Sequence, residues 1–377
     1  MSNTKNSKKS QPVNRSLGPA REPKKQKIGT KSAFATLIIA WYRKNGRDSL
    51  PWQSSNEPYP RWISEIMLQQ TQVVTVIPYF LRFIKRFPDP KTLATSDLDE
   101  VLSYWTGLGY YARARNLYHT ALIIKNDYQC NFPETYEAII QLPGIGRSTA
   151  GAILSFCFDK PYPVLDGNVR RVLARYHAVG GWPGQKEVAK RLWQFAEMHT
   201  PKSHIGEYTQ GIMDIGSGVC LAKQPLCAKC PVKSTCKAFE EKDFLNFPGA
   251  KPKKNRSHKK MTMVMIRDKL GNVFLHQRPI TGIWGGLWSF PECPQGLRPE
   301  VWIQETFGLY VRCEEPWEGF CHQLSHVDLE IRPLPAILDK PKLVTSTSIW
   351  YKPGMPIKLG LSSPVTRLLE QLKDYPI

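Results

Sequence analysis

The sequence predicts a multidomain protein in which an all-α domain is followed by a smaller α+β domain, and three observations carry that prediction. Its 377 residues exceed what one hydrophobic core ordinarily organises. Apolar residues recur at helical spacing through 32–246, whereas beyond 260 they fall in short runs separated by a turn sequence. Between these regimes lies a Pro- and Lys-rich stretch without apolar periodicity.

Composition bounds the partners. The chain is 41% hydrophobic and 22% charged, and no apolar run approaches the roughly 18 residues that span a bilayer, so a soluble protein is expected, and an intracellular one because its amino terminus carries no secretion signal. In a bacterium that means the cytoplasm and nucleoid. The 52 Lys and Arg against 32 Asp and Glu leave a net charge of +20, which favours a polyanion such as nucleic acid or a membrane surface. Residues 1–31 hold nine basic side chains against Glu22 alone, and 248–260 hold six with no acid. They are read as a disordered basic tail (1–31) and a basic linker (247–260), either solvated or attracting phosphate in a salt-sensitive way. The amino terminus has no apolar core and no small-residue cleavage site, so secretion is not expected and the nine cysteines need not pair.

Taken in order, Phe34 to Trp41, Trp62 to Phe80, Leu98 to Trp105, Ala112 to Ile124 and Val188 to Phe195 read as helices. On the second, an apolar stripe of Trp62, Ile66, Val73, Ile77 and Phe80 places Glu65 about 60° from its centre line. Its carboxyl is therefore expected to be partly buried, with a raised pKa suited to proton donation; a boundary residue in an ion pair is the bland alternative. Tyr136 to Gln141, the turn Leu142-Pro143-Gly144-Ile145-Gly146 and Arg147 to Cys157 read as helix, hairpin, helix. Gly144 and Gly146 allow positive φ, and the turn offers backbone N–H groups to phosphate at a helix start. Ala150, Gly151 and Ala152 would let the second helix pack closely on a neighbour. Asp166 precedes a helix-like segment and reads as an N-cap that keeps a low pKa and stays anionic, with Asn168 fixing its orientation. One protonated and one ionised carboxyl is the pattern that cleaves glycosidic bonds through oxocarbenium-like transition states.

Cys220, Cys227, Cys230 and Cys236 make C-x6-C-x2-C-x5-C, four thiols in 17 residues. The spacing suits a tetrahedral zinc or an iron–sulfur cluster and does not choose between them. Cys130, Cys157, Cys293, Cys313 and Cys321 are scattered and read as small buried hydrophobes. After the linker, Met261 to Ile266 and Val273 to Gln277, joined by Asp268 to Asn272, read as a β-hairpin that opens the second domain.

These pieces occur together and in order, and the chain resembles adenine DNA glycosylases of the MutY type. Leu50-Pro51-Trp52, Ser64 to Thr71, Gly107-Leu108-Gly109-Tyr110-Tyr111-Ala112-Arg113, Leu142 to Gly151, Leu165 to Val169 and the cysteine loop all look like that family's motifs, over roughly 34–370. The resemblance implies an all-α, two-lobed helix-hairpin-helix DNA glycosylase domain (32–246) with an iron–sulfur cluster loop (220–236), plus an α+β Nudix-like C-terminal domain (261–372). It implies a monomer without a membrane partner that acts in base excision repair on double-stranded DNA carrying adenine opposite 8-oxoguanine or guanine, with a 4Fe-4S cluster on the four cysteines. Glu65 would protonate N7 of the flipped adenine, and Asp166 would stabilise the sugar cation or trap it. Gln70 and Tyr110, the latter by itself a core aromatic, match wedge residues. Trp52 and Gln210 match the adenine pocket, and Ser325 and His326 match an 8-oxoguanine reading loop in which Leu324 replaces the usual Phe.

Related glycosylases that also cut the backbone carry a Lys where this chain has Ser148, and some MutY-like proteins have a Lys where it has Arg170. Base release without strand scission is therefore expected. The helix-like stretch Pro299 to Phe307 offers only Glu300 and Glu305, too few carboxylates for pyrophosphatase action, so the second domain is expected to recognise and not to hydrolyse. The rival readings are a pyrimidine-lesion glycosylase with lyase action and a damage sensor without catalysis.

Overall fold

The computed structural model describes residues 31–252, 256–340, 347–356 and 358–375; the tail over 1–30 and linker residues Lys253 and Lys254 lie outside the described residues. The helical part runs α1 (Lys31–Asn45), α2 (Pro58–Leu68), α3 (Val73–Arg86), α4 (Pro90–Ala94), α5 (Leu98–Trp105), α6 (Ala112–Asp127), α7 (Tyr136–Ile139), α8 (Arg147–Phe158), α9 (Gly167–Tyr176), α10 (Lys186–His199), α11 (Ile205–Asp214) and α12 (Lys237–Glu240).

Two apolar cores divide these helices into lobes. One gathers Trp62, Phe83, Phe87 and Trp105 from α2 to α6; the other gathers Ile38, Leu173, Leu192 and Ile215 from α1 and α9 to α11. Because α1 packs on α10 and α11, the chain starts in the second lobe, builds the first, and returns. Helix α8 joins them, giving Ile153 and Leu154 to one core and Ala152 to the other. Gly151 makes that passage possible: a Cβ there would lie 2.4 Å from the Pro163 carbonyl oxygen.

The stretch Trp62 to Phe80 is not one helix. It breaks at 69–72, with Gln70 at φ 58°. The guanidinium of Arg113 accounts for the break, since its Nη1 donates to the carbonyls of Ile66, Met67 and Gln69 at 3.0, 2.7 and 2.8 Å. A continuing helix would offer those same carbonyls to Gln70, Thr71 and Val73.

The second domain comprises β1 (Ser257–Arg267), β2 (Val273–Gln277), β3 (Trp288–Ser289), β4 (Glu292–Cys293), α13 (Pro299–Phe307), β5 (Val311–Cys313), β6 (Phe320–Gln323), β7 (Val327–Leu338), β8 (Ser348–Tyr351) and α14 (Ser363–Leu372). Its mixed sheet follows the order β3-β2-β1-β7-β5, with β4 on β1, β6 on β7 and β8 on β2. Alternation on β1 sends Met261, Met263 and Met265 towards α14, and Val264 and Ile266 towards α13. Strand β1 starts at Ser257, so Ser257 to Lys260, read as linker, pair in parallel with Val327 to Glu330. The backbone ladder recruits them although their side chains face water.

Candidate active site

Between the lobes lies a cleft of about 740 Å³ that brings together Glu65 from α2, Asp166 and Asn168 at the start of α9, Trp52 and Gln210. Glu65 sits among buried residues of α2, and its carboxyl opens into the cleft. Burial pushes that carboxyl up to about 7; the Arg61 guanidinium one turn away opposes the shift and the Asp166 charge adds to it. Arg61 is itself buried, stacked 3.9 Å from the Phe156 ring. The sequence reading passed over it, although its i, i+4 spacing from Glu65 was a usable signal.

Asp166 caps α9, accepting the Val169 N–H at 2.7 Å. The expectation that it keeps a low pKa is corrected: burial raises its pKa, and the amide bonds from Val169 and Asn168 with the nearby Arg171 and Arg170 only oppose that rise. An N-cap on an exposed helix faces water, whereas this one faces a cleft wall, and desolvation wins. Asn168 Nδ2 lies 3.4 Å from Asp166 Oδ2.

On the cleft's far side Trp52 is 2% exposed in a 3-10 turn, edge-on to Phe80. Gln210 Nε2 donates to Asp214 Oδ1 at 2.8 Å, and Arg47 grips the same carboxylate with Nε at 2.9 Å, Nη2 at 2.6 Å and its own backbone N–H at 2.8 Å. Arg47 and Asp214 were missed because they stand 167 residues apart and no local pattern pairs them.

Tyr110 is no core aromatic. It is 47% exposed, at φ 49°, in the loop between α5 and α6. Arg113 Nη2 donates to the Leu108 and Gly109 carbonyls, so one buried guanidinium holds both the Gln70 loop and the Tyr110 loop. In the hairpin between α7 and α8, Gly144 has φ 78° but Gly146, the N-cap of α8, has φ −90°; positive φ is needed only at the first. Ser325 and His326 are exposed at the β6–β7 turn, and the Ser325 hydroxyl lies 2.8 Å from the Tyr110 hydroxyl. Ser148 Oγ accepts the Leu165 N–H at 3.0 Å, and the stretch Pro299 to Phe307 is helical as expected.

The four cysteines lie outside the cleft. Cys220, Cys227, Cys230 and Cys236 line one small apolar-walled cavity with Arg175, whose Nη1 lies 3.3 Å from Cys220 Sγ. Burial pushes the Cys230 thiol up to about 11. No group of three or more His, Cys, Asp or Glu among the described residues is placed to hold a single ion. The loop is nonetheless tied to the cleft: Arg171 Nε donates to the Cys220 carbonyl at 2.7 Å and its Nη2 to Asn168 Oδ1 at 2.9 Å. A short π-helix over Ile215–Val219 delivers Cys220, and Gly216 within it abuts Asn168, leaving 2.6 Å for a Cβ. Of the remaining cysteines Cys293 is buried, but Cys130, Cys157 and Cys313 are only partly so and Cys321 is exposed, against the expectation for all five.

Two helical lobes joined by a helix that follows a glycine hairpin, with two carboxyls facing one cleft and a separate mixed-sheet domain, define a base-excision glycosylase of the helix-hairpin-helix class. Comparison with known proteins agrees. Residues 63–198 match the HhH-GPD superfamily base excision DNA repair protein family and 262–371 the NUDIX domain. A thermostable thymine-DNA glycosylase of known structure superposes with a TM-score of 0.52 at 27% identity, covering 56% of this chain and 97% of that one. The adenine DNA glycosylase of Buchnera aphidicola subsp. Baizongia pistaciae is 42% identical over 348 residues, 92% of this chain and 98% of the relative. That of Buchnera aphidicola subsp. Acyrthosiphon pisum is 43% identical, over 91% and 99%. The chain belongs to the adenine DNA glycosylase family.

Proposed function

We propose that this protein hydrolyses the N-glycosidic bond of adenine flipped out of duplex DNA opposite 8-oxoguanine or guanine, releasing the base without cutting the strand. The observation that carries the reading is that Glu65, whose carboxyl burial pushes up to about 7, and the N-capping Asp166 line one cleft. Near neutrality Glu65 holds a proton for N7 of the departing purine. Asp166, supplied with amide donors that Glu65 lacks, is the group that faces the developing sugar cation as an anion. Trp52 gives the base an aromatic wall, and Gln210, fixed by the Arg47–Asp214 pair, presents an amide to its edge. A flipped base leaves a gap, which Gln70 and Tyr110 are shaped and exposed to fill.

The hairpin amide of Gly146, at the start of α8, suits phosphate; that of Ile145 is taken by the Leu142 carbonyl. Ser325 and His326 read the opposite base: in 8-oxoguanine N7 carries a hydrogen, and a serine hydroxyl can accept it. Four cysteine sulfurs around one cavity, with the Arg175 guanidinium beside Cys220, fit a 4Fe-4S cluster, which when bound cross-links the loop carrying Lys223, Lys229, Lys233 and Lys237. Purified protein is expected to contain about four iron and four sulfide per chain.

The test is release of free adenine from duplexes pairing it with 8-oxoguanine, guanine and thymine. Release from the first two and not the third is expected; equal release from all three removes the opposite base from the reading.

A further inference from the structure

The second domain is seated on the helical domain through contacts that cluster beside the wedge loop. Trp288 on β3, 5% exposed, donates its Nε1–H to Asp99 Oδ2 of α5 at 2.8 Å. The Tyr111 hydroxyl donates to the Leu361 carbonyl at 2.6 Å, and Tyr111 is the residue next to Tyr110. Arg115 donates to the Gly285 carbonyl. Gly360 lies so close to α5 that a Cβ there would be 2.5 Å from the Leu102 Cβ, and Leu287 is buried in the core of the first lobe. This is a packed joint, and Asp99 is the acidic group within it. Asp99 Oδ1 is buried with no hydrogen-bond partner among the described residues, and Oδ2 accepts the indole N–H. A hydrogen bond from a buried indole to a helix start is directional and constrains the relative orientation of the two elements.

We propose that Asp99 and Trp288 are positioning residues for opposite-base selectivity: their bond sets the angle of the second domain so that Ser325 meets the Tyr110 wedge. The path runs through hydrogen-bonded strands. Trp288 lies on β3, which pairs with β2; β2 pairs with β1; and β1 is laddered along its whole length to β7, which begins two residues after Ser325. A small rotation at Trp288 is therefore carried by the sheet to the reading loop, and hydrogen-bond selectivity tolerates little misplacement. The joint leaves the cleft alone, because neither residue lines it.

This proposal rests on the reading of Ser325 as the contact to the opposite base, and the experiment separates the two. Single-turnover adenine release is measured opposite 8-oxoguanine and opposite guanine for the wild type, Asp99→Ala, Asp99→Asn, Trp288→Phe and Ser325→Ala, with thermal unfolding of each. Asp99→Ala and Trp288→Phe are expected to lower the ratio of the two rates by about fivefold, the scale of one lost hydrogen bond. Release opposite guanine should stay within about twofold, and Asp99→Asn, whose amide oxygen still accepts, should restore most of the ratio. Ser325→Ala combined with Asp99→Ala should lose no more than Ser325→Ala alone. An unchanged ratio in Asp99→Ala and Trp288→Phe while Ser325→Ala lowers it overturns the positioning role, as does an equal loss of both rates. If Ser325→Ala leaves the ratio unchanged and Asp99→Ala lowers it, the joint stands and the reader is another residue of the same domain.

Discussion

Burial acts on both carboxyls of the cleft in one direction, and what distinguishes them is the supply of donors. Glu65 accepts no hydrogen bond among the described residues, whereas Asp166 accepts the Val169 amide and lies near Arg171 and Arg170. The protonated fraction of Glu65 falls as pH rises through about 7, so kcat/KM for adenine release should decline on the alkaline side with an apparent pKa near 7. Glu65→Gln should lose that limb and about 10² or more in rate while duplex binding persists. A variant that keeps the wild-type alkaline limb would assign the limb to another group. The sign for stability is the same: the fold favours the protonated carboxyl, so its contribution is complete below about 4.5 and is lost as pH rises to about 7. Glu65 and Asp166 were legible from the chain because each sits in a local pattern, an apolar helix face and a cap. The direction of the Asp166 shift was not, because the cap is local and the wall that desolvates it comes from elsewhere.

The hairpin shows what one element requires of its residues. Gly144 combines φ 78° with the Asn116 side chain 2.9 Å from where a Cβ would stand, while Gly146 has φ −90° and open space. Gly144→Ala should therefore destabilise by about 1–2 kcal/mol from the left-handed backbone alone, measured by denaturant unfolding. Gly146→Ala should leave stability within about 0.5 kcal/mol and instead weaken duplex binding, by crowding the approach of phosphate to the α8 start. Equal loss of stability in both would mean that Gly146 too is held for its backbone. The pair G-x-G was visible in the sequence, but which glycine is needed for which reason depends on the neighbouring α6. The break between α2 and α3 has the same origin: periodicity runs through it, and only Arg113, some 45 residues away, claims the carbonyls.

At the scale of the whole molecule, the chemistry expected is base release alone. Ser148 caps the Leu165 amide and Arg170 is a guanidinium, so neither offers an amine for a Schiff base. Gel analysis before alkali should find less nicking than abasic product by at least about tenfold. Nicking in step with base release would require a nucleophile elsewhere. Substituting Ser148 by Lys should not create a lyase without also costing stability, since it removes the cap of Leu165. The same scale holds the joint between domains, which no motif announced. Asp99 and Trp288 stand 189 residues apart, and no local pattern pairs them.

The sequence by itself determined the two kinds of domain, most of the helices and the hairpins within them, the four-cysteine loop and the residues that carry local signatures. All of these depend on periodicity, caps and spacing, which act over a few residues. Only the tertiary structure decided which charges meet: Arg47 with Asp214, Arg171 between the cysteine loop and Asn168, Arg113 across two loops, and the second domain upon α5. Those pairings, and every carboxyl pKa in the cleft, depend on how much water the fold excludes and which distant groups replace it, and no stretch of chain records that locally.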